Sequence, residues 1–210
     1  MIPRSALAPL AALVTGLATP APGQAPPESV RYRLLPESRL EVKTGRAGLF
    51  GFAGHDHIIR ARAFSGELTF VPADPARSRL LVVVPADSLE VLTPPDTAEI
   101  RQVTEAMREE VLHVDRFPEI TFASREVKPI DGGYRVVGAL TMHGTTREVP
   151  VDFRVKFAGD TLRADAGFSV KQTDFGIEPY SGGPLGTVKV ADKVTFRISA
   201  VAIRVEAAEE

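Results

Sequence analysis

The chain has 210 residues, of which 44% are hydrophobic and 25% charged, the composition of an ordinary globular protein. Its 25 Lys and Arg residues nearly balance 27 Asp and Glu residues, giving a formal net charge of -2. This balance argues against nucleic acid as a partner, because phosphate binding requires clustered basic side chains. The absence of Cys excludes disulfides, thiolate metal sites and lipid attachment at an N-terminal Cys.

The N-terminus has the pattern of a secretory signal peptide. Arg4 precedes an apolar run over residues 6–18, and small residues and prolines follow at 20–23. The run is too short to span a bilayer, which makes a signal anchor the weaker alternative. We therefore predict cleavage after Gly23, which removes residues 1–23, with cleavage after Ala18 as the alternative, and export to the periplasm or exterior of a bacterium. No later stretch of the sequence is predicted to span a membrane.

After a flexible segment at 24–30, a single domain is predicted over 31–206, and its dominant hydrophobic period is two. Residues 149–157 alternate apolar with polar or Pro positions, as expected for a half-buried strand. A turn at Ala158-Gly159-Asp160 leads into a second alternating strand over 162–171, which predicts a β-hairpin. The same strand pattern recurs around residues 40–43, 64–70, 80–84, 120–122, 134–142 and 193–205.

One segment has helical periodicity instead. Asp96, after two prolines, is the predicted N-cap, with Glu99 near the reciprocal capping position. The helix should end before Phe117-Pro118, because the residue before Pro disfavours helical backbone. Its predicted apolar stripe consists of Ile100, Val103, Met107, Val111 and Val114.

About eight antiparallel strands and one helix in the middle connection predict an all-β fold. Closure into a lipocalin-like antiparallel β-barrel is the economical arrangement, because it removes unpaired strand edges. A β-sandwich is the alternative.

From residue 32 to its end the chain resembles the YceI-like family. The segments that carry the resemblance include FSGELTF at 64–70, DRFPEITFAS at 115–124, GALTMHGTTREV at 138–149 and DFG at 174–176. The resemblance implies a periplasmic barrel whose lumen takes up polyisoprenoid or other long-chain amphiphilic molecules. It implies no catalytic residues. The chain departs from the family at 49–57, LFGFAGHDH, where a His followed by a Leu-Gly-x-Ser-like turn is common.

Inward-facing apolar residues are the first candidate ligand contacts. The set consists of Phe122, Met142, Phe153, Phe168 and Phe196. Solid core packing is the alternative at such alternating positions. Small residues among them favour a cavity, because they remove volume that a filled barrel would need. These small residues are Gly138, Ala164, Ala166, Ala200 and Ala202.

The loop over residues 49–57 is the second candidate. Phe50 and Phe52 lie among glycines and are predicted to form either a mobile lip over the lumen or a plug. His55 and His57 are two apart, so in extended backbone both rings could contact one headgroup or one metal ion. A third metal ligand would have to come from His113 or His143, with Asp56 orienting an imidazole. The alternative is a pair of histidines bonded to backbone or water.

A pair of arginines and the ligand entrance complete the candidate features. Arg60 and Arg62 share a strand face, which is predicted to be a solvated face rather than a site for an anionic headgroup. Ligand entry is predicted between the helix and the loop at 50–57.

No pattern in the sequence requires catalysis. There is no Cys nucleophile, no Gly-x-Ser-x-Gly motif and no sign of a paired carboxylate site. We therefore predict a protein that is not an enzyme, needs no cofactor and binds a long-chain isoprenoid or other amphiphilic lipid for transport, storage or sequestration. The alternative is a metal-binding protein or metal-dependent hydrolase using His55 and His57. A homodimer is left open.

Overall fold

The computed structural model describes residues 28–47, 56–93, 97–182 and 188–206. The predicted signal peptide at 1–23 lies outside these residues, and the first described strand begins at Val30. The strands before the helix are β1 (Val30–Leu34), β2 (Arg39–Arg46), β3 (His57–Ala61), β4 (Ser65–Phe70), β5 (Arg79–Pro85) and β6 (Leu89–Val91). Helix α1 (Thr97–Ala106) continues into a π-helical turn, Met107–Val111. The strands after it are β7 (Glu119–Ile130), β8 (Gly133–Met142), β9 (Thr145–Ala158), β10 (Thr161–Lys171), β11 (Ser181–Gly182) and β12 (Val188–Val205).

Eleven of the described strands form one closed antiparallel barrel, and β11 pairs only with β12. The barrel has eight strands, three of which are each broken into two pieces. β1 pairs with β4 while β2 pairs with β3, and β4 pairs with β5 while β3 pairs with β6. β1 and β2 are therefore two pieces of one interrupted strand. The same holds for β3 and β4, and for β5 and β6. Each strand pairs with its neighbour in sequence, and β12 closes the barrel against both β1 and β2. The predicted barrel is confirmed, and the sandwich alternative is wrong.

Strand β12 can close the barrel because it is long enough to reach both pieces of the first strand. Its residues from Val194 to Ser199 pair with β2, and its last residues pair with β1. Its other edge pairs with β10 over eleven residue positions. Closure leaves neither edge of β12 unpaired along this length, as the barrel argument from sequence required.

The alternating apolar positions of β10 and β12 face the barrel interior. Ala164 lies opposite Ala200, and Phe168 lies opposite Phe196 across β10 and β12. The two Phe rings are stacked, with centroids 4.6 Å apart. On the outer face of the same strands, Ser199 Oγ donates to Asp165 Oδ1 at 2.8 Å. The inward and outward faces therefore follow the sequence period.

The two ends of the barrel differ in their connections. The lower end is defined by the β7–β8 turn at Gly132 and the β9–β10 turn at Gly159, where φ is +72° and +57°. The upper end is defined by α1, the β8–β9 turn at His143-Gly144 and the connection over residues 172–182. Glycine at the lower turns supplies the left-handed backbone that tight antiparallel turns need.

Helix α1 covers the edge of β6, which does not pair with β7. Thr104 Oγ1 accepts a hydrogen bond from Val91 N at 3.2 Å. Arg108 donates to Leu89 O from Nε at 3.1 Å and from Nη2 at 2.8 Å. These side chains satisfy backbone groups that an exposed strand edge would leave unpaired.

The regular α-helix is shorter than the sequence predicted. α1 ends at Ala106, and Leu112 N donates to Met107 O, five residues back. A π-helical turn contains one extra residue, so it changes which side chains face the core. Leu112, which is outside the predicted stripe, packs against the buried cluster that contains Met107 and Leu89, whereas Val114 of the stripe is not part of that cluster. The predicted cap at Asp96 lies outside the described residues.

Candidate functional site

The barrel encloses a cavity of about 270 Å³. Its walls are almost entirely apolar and come from nearly every barrel strand and from the π-helical turn. The volume is close to the lower limit of the roughly 300–1,000 Å³ that is usual for ligand pockets. A cavity of this size and lining fits a slender apolar molecule.

All five predicted lumen residues line this cavity. They are Phe122 on β7, Met142 on β8, Phe153 on β9, Phe168 on β10 and Phe196 on β12. Met142 is buried, and the four Phe side chains pack against the same buried cluster around Val151 and Phe175. Their position in the lumen agrees with the prediction, whereas their contact with a ligand remains a proposal.

Small residues make room for the cavity, with two corrections. Ala164, Ala200 and Ala202 line the lumen, as the sequence predicted, whereas Ala166 does not line it and packs against a buried apolar cluster. Gly138 has a different role, because a Cβ there would lie 2.2 Å from Cζ of Phe122. The space left by Gly138 is thus occupied by the Phe122 ring, and the prediction that this glycine enlarges the lumen is wrong.

Aromatic rings lie at the lower end of the lumen. The Phe70 ring lies 5.5 Å from Tyr134 and 5.2 Å from Phe157, and the Tyr32 ring lies 6.1 Å from Phe157. We call Tyr32, Phe70, Tyr134 and Phe157 the lower aromatic cluster. All four residues also line the cavity, so they form its floor.

Residues 48–55, 94–96 and 183–187 lie outside the described residues. The predictions for Phe50, Phe52 and His55, and for ligand entry beside them, concern the first of these segments. They stay predictions.

His57 is described, and its ring is held by backbone. It lies opposite Thr44 in the β2–β3 pair, and its Nδ1 is 2.6 Å from Thr93 O. Thr93 Oγ1 in turn accepts from Ile58 N at 2.9 Å and donates to Asp56 O at 3.1 Å. This arrangement matches the alternative reading of a histidine bonded to backbone.

Asp56 is paired with cations rather than with an imidazole. Its carboxylate lies 3.1 Å from Lys43 Nζ and 3.5 Å from Arg46 Nε. The hydrogen bond from Lys43 is the main cause that lowers the pKa of Asp56. Its predicted role of orienting a metal ligand is therefore not supported.

The other two histidines meet each other at the upper end. The rings of His113 and His143 are 5.5 Å apart between centroids. Among the residues that the structure describes, no group of three or more His, Cys, Asp or Glu side chains could hold a metal ion. The metal alternative gains no third ligand from this part of the chain.

Arg60 and Arg62 are engaged on the outer face of the barrel. Arg60 Nε donates to Glu41 Oε1 at 2.8 Å across the β2–β3 pair. Arg62 forms an ion pair with Glu90. These pairs agree with the predicted solvated face, and they leave both guanidinium groups with carboxylate partners of their own.

The sequence reasoning missed Thr44 as a site residue. Thr44 lines the cavity and is 7% exposed, and its Oγ1 has no hydrogen-bond partner among the described residues. It continues the inward alternation of Leu40 and Val42, so a polar residue at an inward position was the signal that could have identified it.

The family model for the YceI-like domain matches residues 38–202. The chain belongs to the YceI-like domain family. A UPF0312 protein from Yersinia enterocolitica is 33% identical over 120 residues, which is 54% of this chain and 59% of that protein. UPF0312 proteins from Yersinia pseudotuberculosis are 32% identical over the same length. The aligned part therefore spans about three fifths of these curated relatives.

Solved structures of similar fold are more distant in sequence. Burkholderia cenocepacia BcnA superposes with a TM-score of 0.63 at 20% identity, covering 79% of this chain and 96% of that one. The Campylobacter jejuni YCEI protein gives a TM-score of 0.56 at 15% identity, covering 71% and 85%. These likenesses concern the fold of the YceI-like barrel. Within the described residues, no helix has the length and apolar character needed to cross a membrane.

Proposed function

We propose that this YceI-like protein binds a long-chain isoprenoid or a similar amphiphile inside the barrel, and that it carries, stores or sequesters this molecule without transforming it. The apolar lumen of about 270 Å³ is the observation on which the proposal rests. The lower aromatic cluster occupies one end, so we expect the chain to enter from the upper end. The leader-like N-terminus supports a periplasmic or secreted location.

Burial of hydrocarbon is sufficient to drive such binding. Each buried methylene contributes about 0.8 kcal/mol, so ten of them contribute roughly 8 kcal/mol before the cost of association. No elaborate polar chemistry is required, which agrees with a lumen wall built from Leu, Val, Ile and Phe. A slender chain suits the modest volume better than a broad ring system.

The binding proposal is tested by protein exported to a bacterial periplasm and analysed by native mass spectrometry. Organic extraction of the same sample should release a species of isoprenoid or fatty mass. Metal analysis of that sample tests the alternative, which requires a stoichiometric metal ion that is lost when His55 and His57 are changed to Ala.

A pair of neighbouring variants locates the ligand. Ala164 lines the lumen and is 7% exposed, whereas Arg163 beside it is exposed. Ala164→Phe should exclude the ligand by filling the lumen, while Arg163→Phe should retain it. Equal ligand content in the two folded variants, or a wild-type protein that carries no apolar molecule, would count against lumen binding.

A further inference from the structure

One hydroxyl in the lumen differs from the other buried polar residues of the described barrel in having no hydrogen-bond partner. Five polar residues are buried: Ser38, Thr44, Ser78, Thr104 and Gln172. Four of them bond to backbone. Ser38 donates to Val201 O at 3.1 Å, Ser78 accepts from Val71 N at 3.0 Å, Thr104 accepts from Val91 N at 3.2 Å and Gln172 donates to Ala191 O at 2.9 Å. Thr44 Oγ1 is the exception.

Thr44 faces the lumen near its upper end. It lies opposite Val194 of β12 on one side and His57 of β3 on the other. Val194 is 5% exposed and lines the cavity together with Thr44. A threonine hydroxyl both donates and accepts hydrogen bonds, and its burial is unfavourable unless it has a partner. The position is therefore suited to a polar group that arrives with the ligand.

The surroundings of Thr44 favour an uncharged polar group. The cations nearest in sequence, Lys43 and Arg46, are paired with Asp56. The ring of His57 is held through Nδ1 by Thr93 O. A buried carboxylate or phosphate next to a single hydroxyl would lack the charge partners that burial of an ion requires. A hydroxyl or carbonyl needs one hydrogen bond, which Thr44 can supply.

We infer that Thr44 Oγ1 is a hydrogen-bonding site for the polar end of the ligand, and that the lumen takes a long-chain alcohol or carbonyl compound in preference to a plain hydrocarbon. This inference rests on the proposed lumen binding and adds the chemical class of the ligand terminus. The hydrocarbon part extends from Thr44 towards the lower aromatic cluster.

The test compares 1-dodecanol with n-dodecane, each displacing a fluorescent apolar dye from the lumen. Thr44→Val keeps the shape of the side chain and removes the hydroxyl. We expect it to weaken binding of 1-dodecanol about three- to tenfold and to leave n-dodecane within about twofold, the size of one hydrogen bond. Thr44→Ser should retain the preference for the alcohol, because it keeps the hydroxyl.

Thr195→Val is the matched control, because Thr195 Oγ1 lies 3.0 Å from Ser169 Oγ on the outer face. It should change neither dissociation constant. Thr44→Val should also fold at least as stably as the wild type, since it removes a buried hydroxyl that has no partner.

The outcomes separate this inference from the proposed function. If both probes bind the wild type and Thr44→Val affects them equally or not at all, the hydrogen-bonding site is wrong while lumen binding stands. If neither probe binds the wild type, lumen binding fails and the inference fails with it. Selective loss of 1-dodecanol binding, restored in Thr44→Ser, supports the site.

Discussion

The imidazole rings of His113 and His143 lie 5.5 Å apart, and both residues have left-handed backbone, with φ of +46° and +49°. This conformation is unfavourable for residues other than glycine. His113 follows the π-helical turn, and His143 begins the β8–β9 turn, where Gly144 follows with φ of +70°. The Phe117 ring adds a contact at 4.2 Å from the His143 ring. The helix exit and the hairpin are thus joined through these rings.

The surroundings of His143 disfavour its protonated form. Burial is the main cause that lowers its pKa below 6.5, and the nearby His113 and Arg116 lower it further. Hydrogen bonding to the backbone of Phe175 and Gly176 acts in the opposite direction. Its Nε2 is buried without a hydrogen-bond partner among the described residues.

Stability should therefore fall in mild acid. Because the pKa of His143 is lowered in the folded state, the unfolded chain binds more protons as the pH drops below about 6.5. The free energy of unfolding should thus decrease from pH 7.5 towards pH 5, and the loss should level off below the folded pKa. Urea unfolding at a series of pH values measures this change.

His143→Asn is the matched variant, because Asn before Gly suits a tight turn with two left-handed residues. It should fold, and it should remove the part of the pH dependence that belongs to His143. Identical pH profiles for the wild type and His143→Asn would contradict the assignment.

Gly144 should tolerate a side chain less well than Gly159. Both have positive φ, so Ala at either position costs about 1–2 kcal/mol of backbone strain. A Cβ at Gly144 would also lie 2.7 Å from Cε1 of Phe117, whereas at Gly159 nothing lies within 4 Å. The clash should add about 1–3 kcal/mol to the cost of Gly144→Ala. Equal unfolding free energies for the two Ala variants would show that Phe117 moves aside without cost.

The barrel was predictable because alternation alone determines which residues face inward. Residues 149–157 and 162–171 keep a period of two without interruption, and both form regular strands. The breaks between β1 and β2, β3 and β4, and β5 and β6 were not predictable in the same way. Each break leaves the strand direction unchanged, and only pairing with distant strands determines this.

The site was predictable in part for the same reason. The five lumen residues follow from alternation, but Gly138 does not, because its role depends on the Phe122 ring of a neighbouring strand. The π-helical turn is equally hidden, since no local pattern distinguishes it from regular helix. The inward polar position of Thr44 could be read from the sequence, but the missing hydrogen-bond partner of its Oγ1 is a property of the folded barrel.

Arg108 should contribute to stability at the edge of β6 that the helix covers. Its guanidinium donates two hydrogen bonds to Leu89 O, a carbonyl that no barrel strand pairs. Arg108→Met keeps a long side chain of good helix propensity but removes both bonds, so it should cost about 1–3 kcal/mol. Arg101→Met on exposed α1 surface is the control and should change stability by less than about 0.5 kcal/mol. Urea unfolding of both variants measures the difference, and equal midpoints would contradict a role for Arg108 at this edge.

Gly138 and Phe122 should be energetically coupled. Gly138→Ala places a Cβ against the Phe122 ring and should destabilise the barrel by about 1–3 kcal/mol. Phe122→Ala removes the ring, so Gly138→Ala should cost less in that background, with a coupling energy of about 1–2 kcal/mol in a double-mutant cycle. Gly167 provides the comparison, because a Cβ there meets only Phe196 O at 3.6 Å, an ordinary contact. Gly167→Ala should therefore be additive with Phe122→Ala. Additivity in the Gly138 cycle as well would mean that the Phe122 ring does not limit the side chain at position 138.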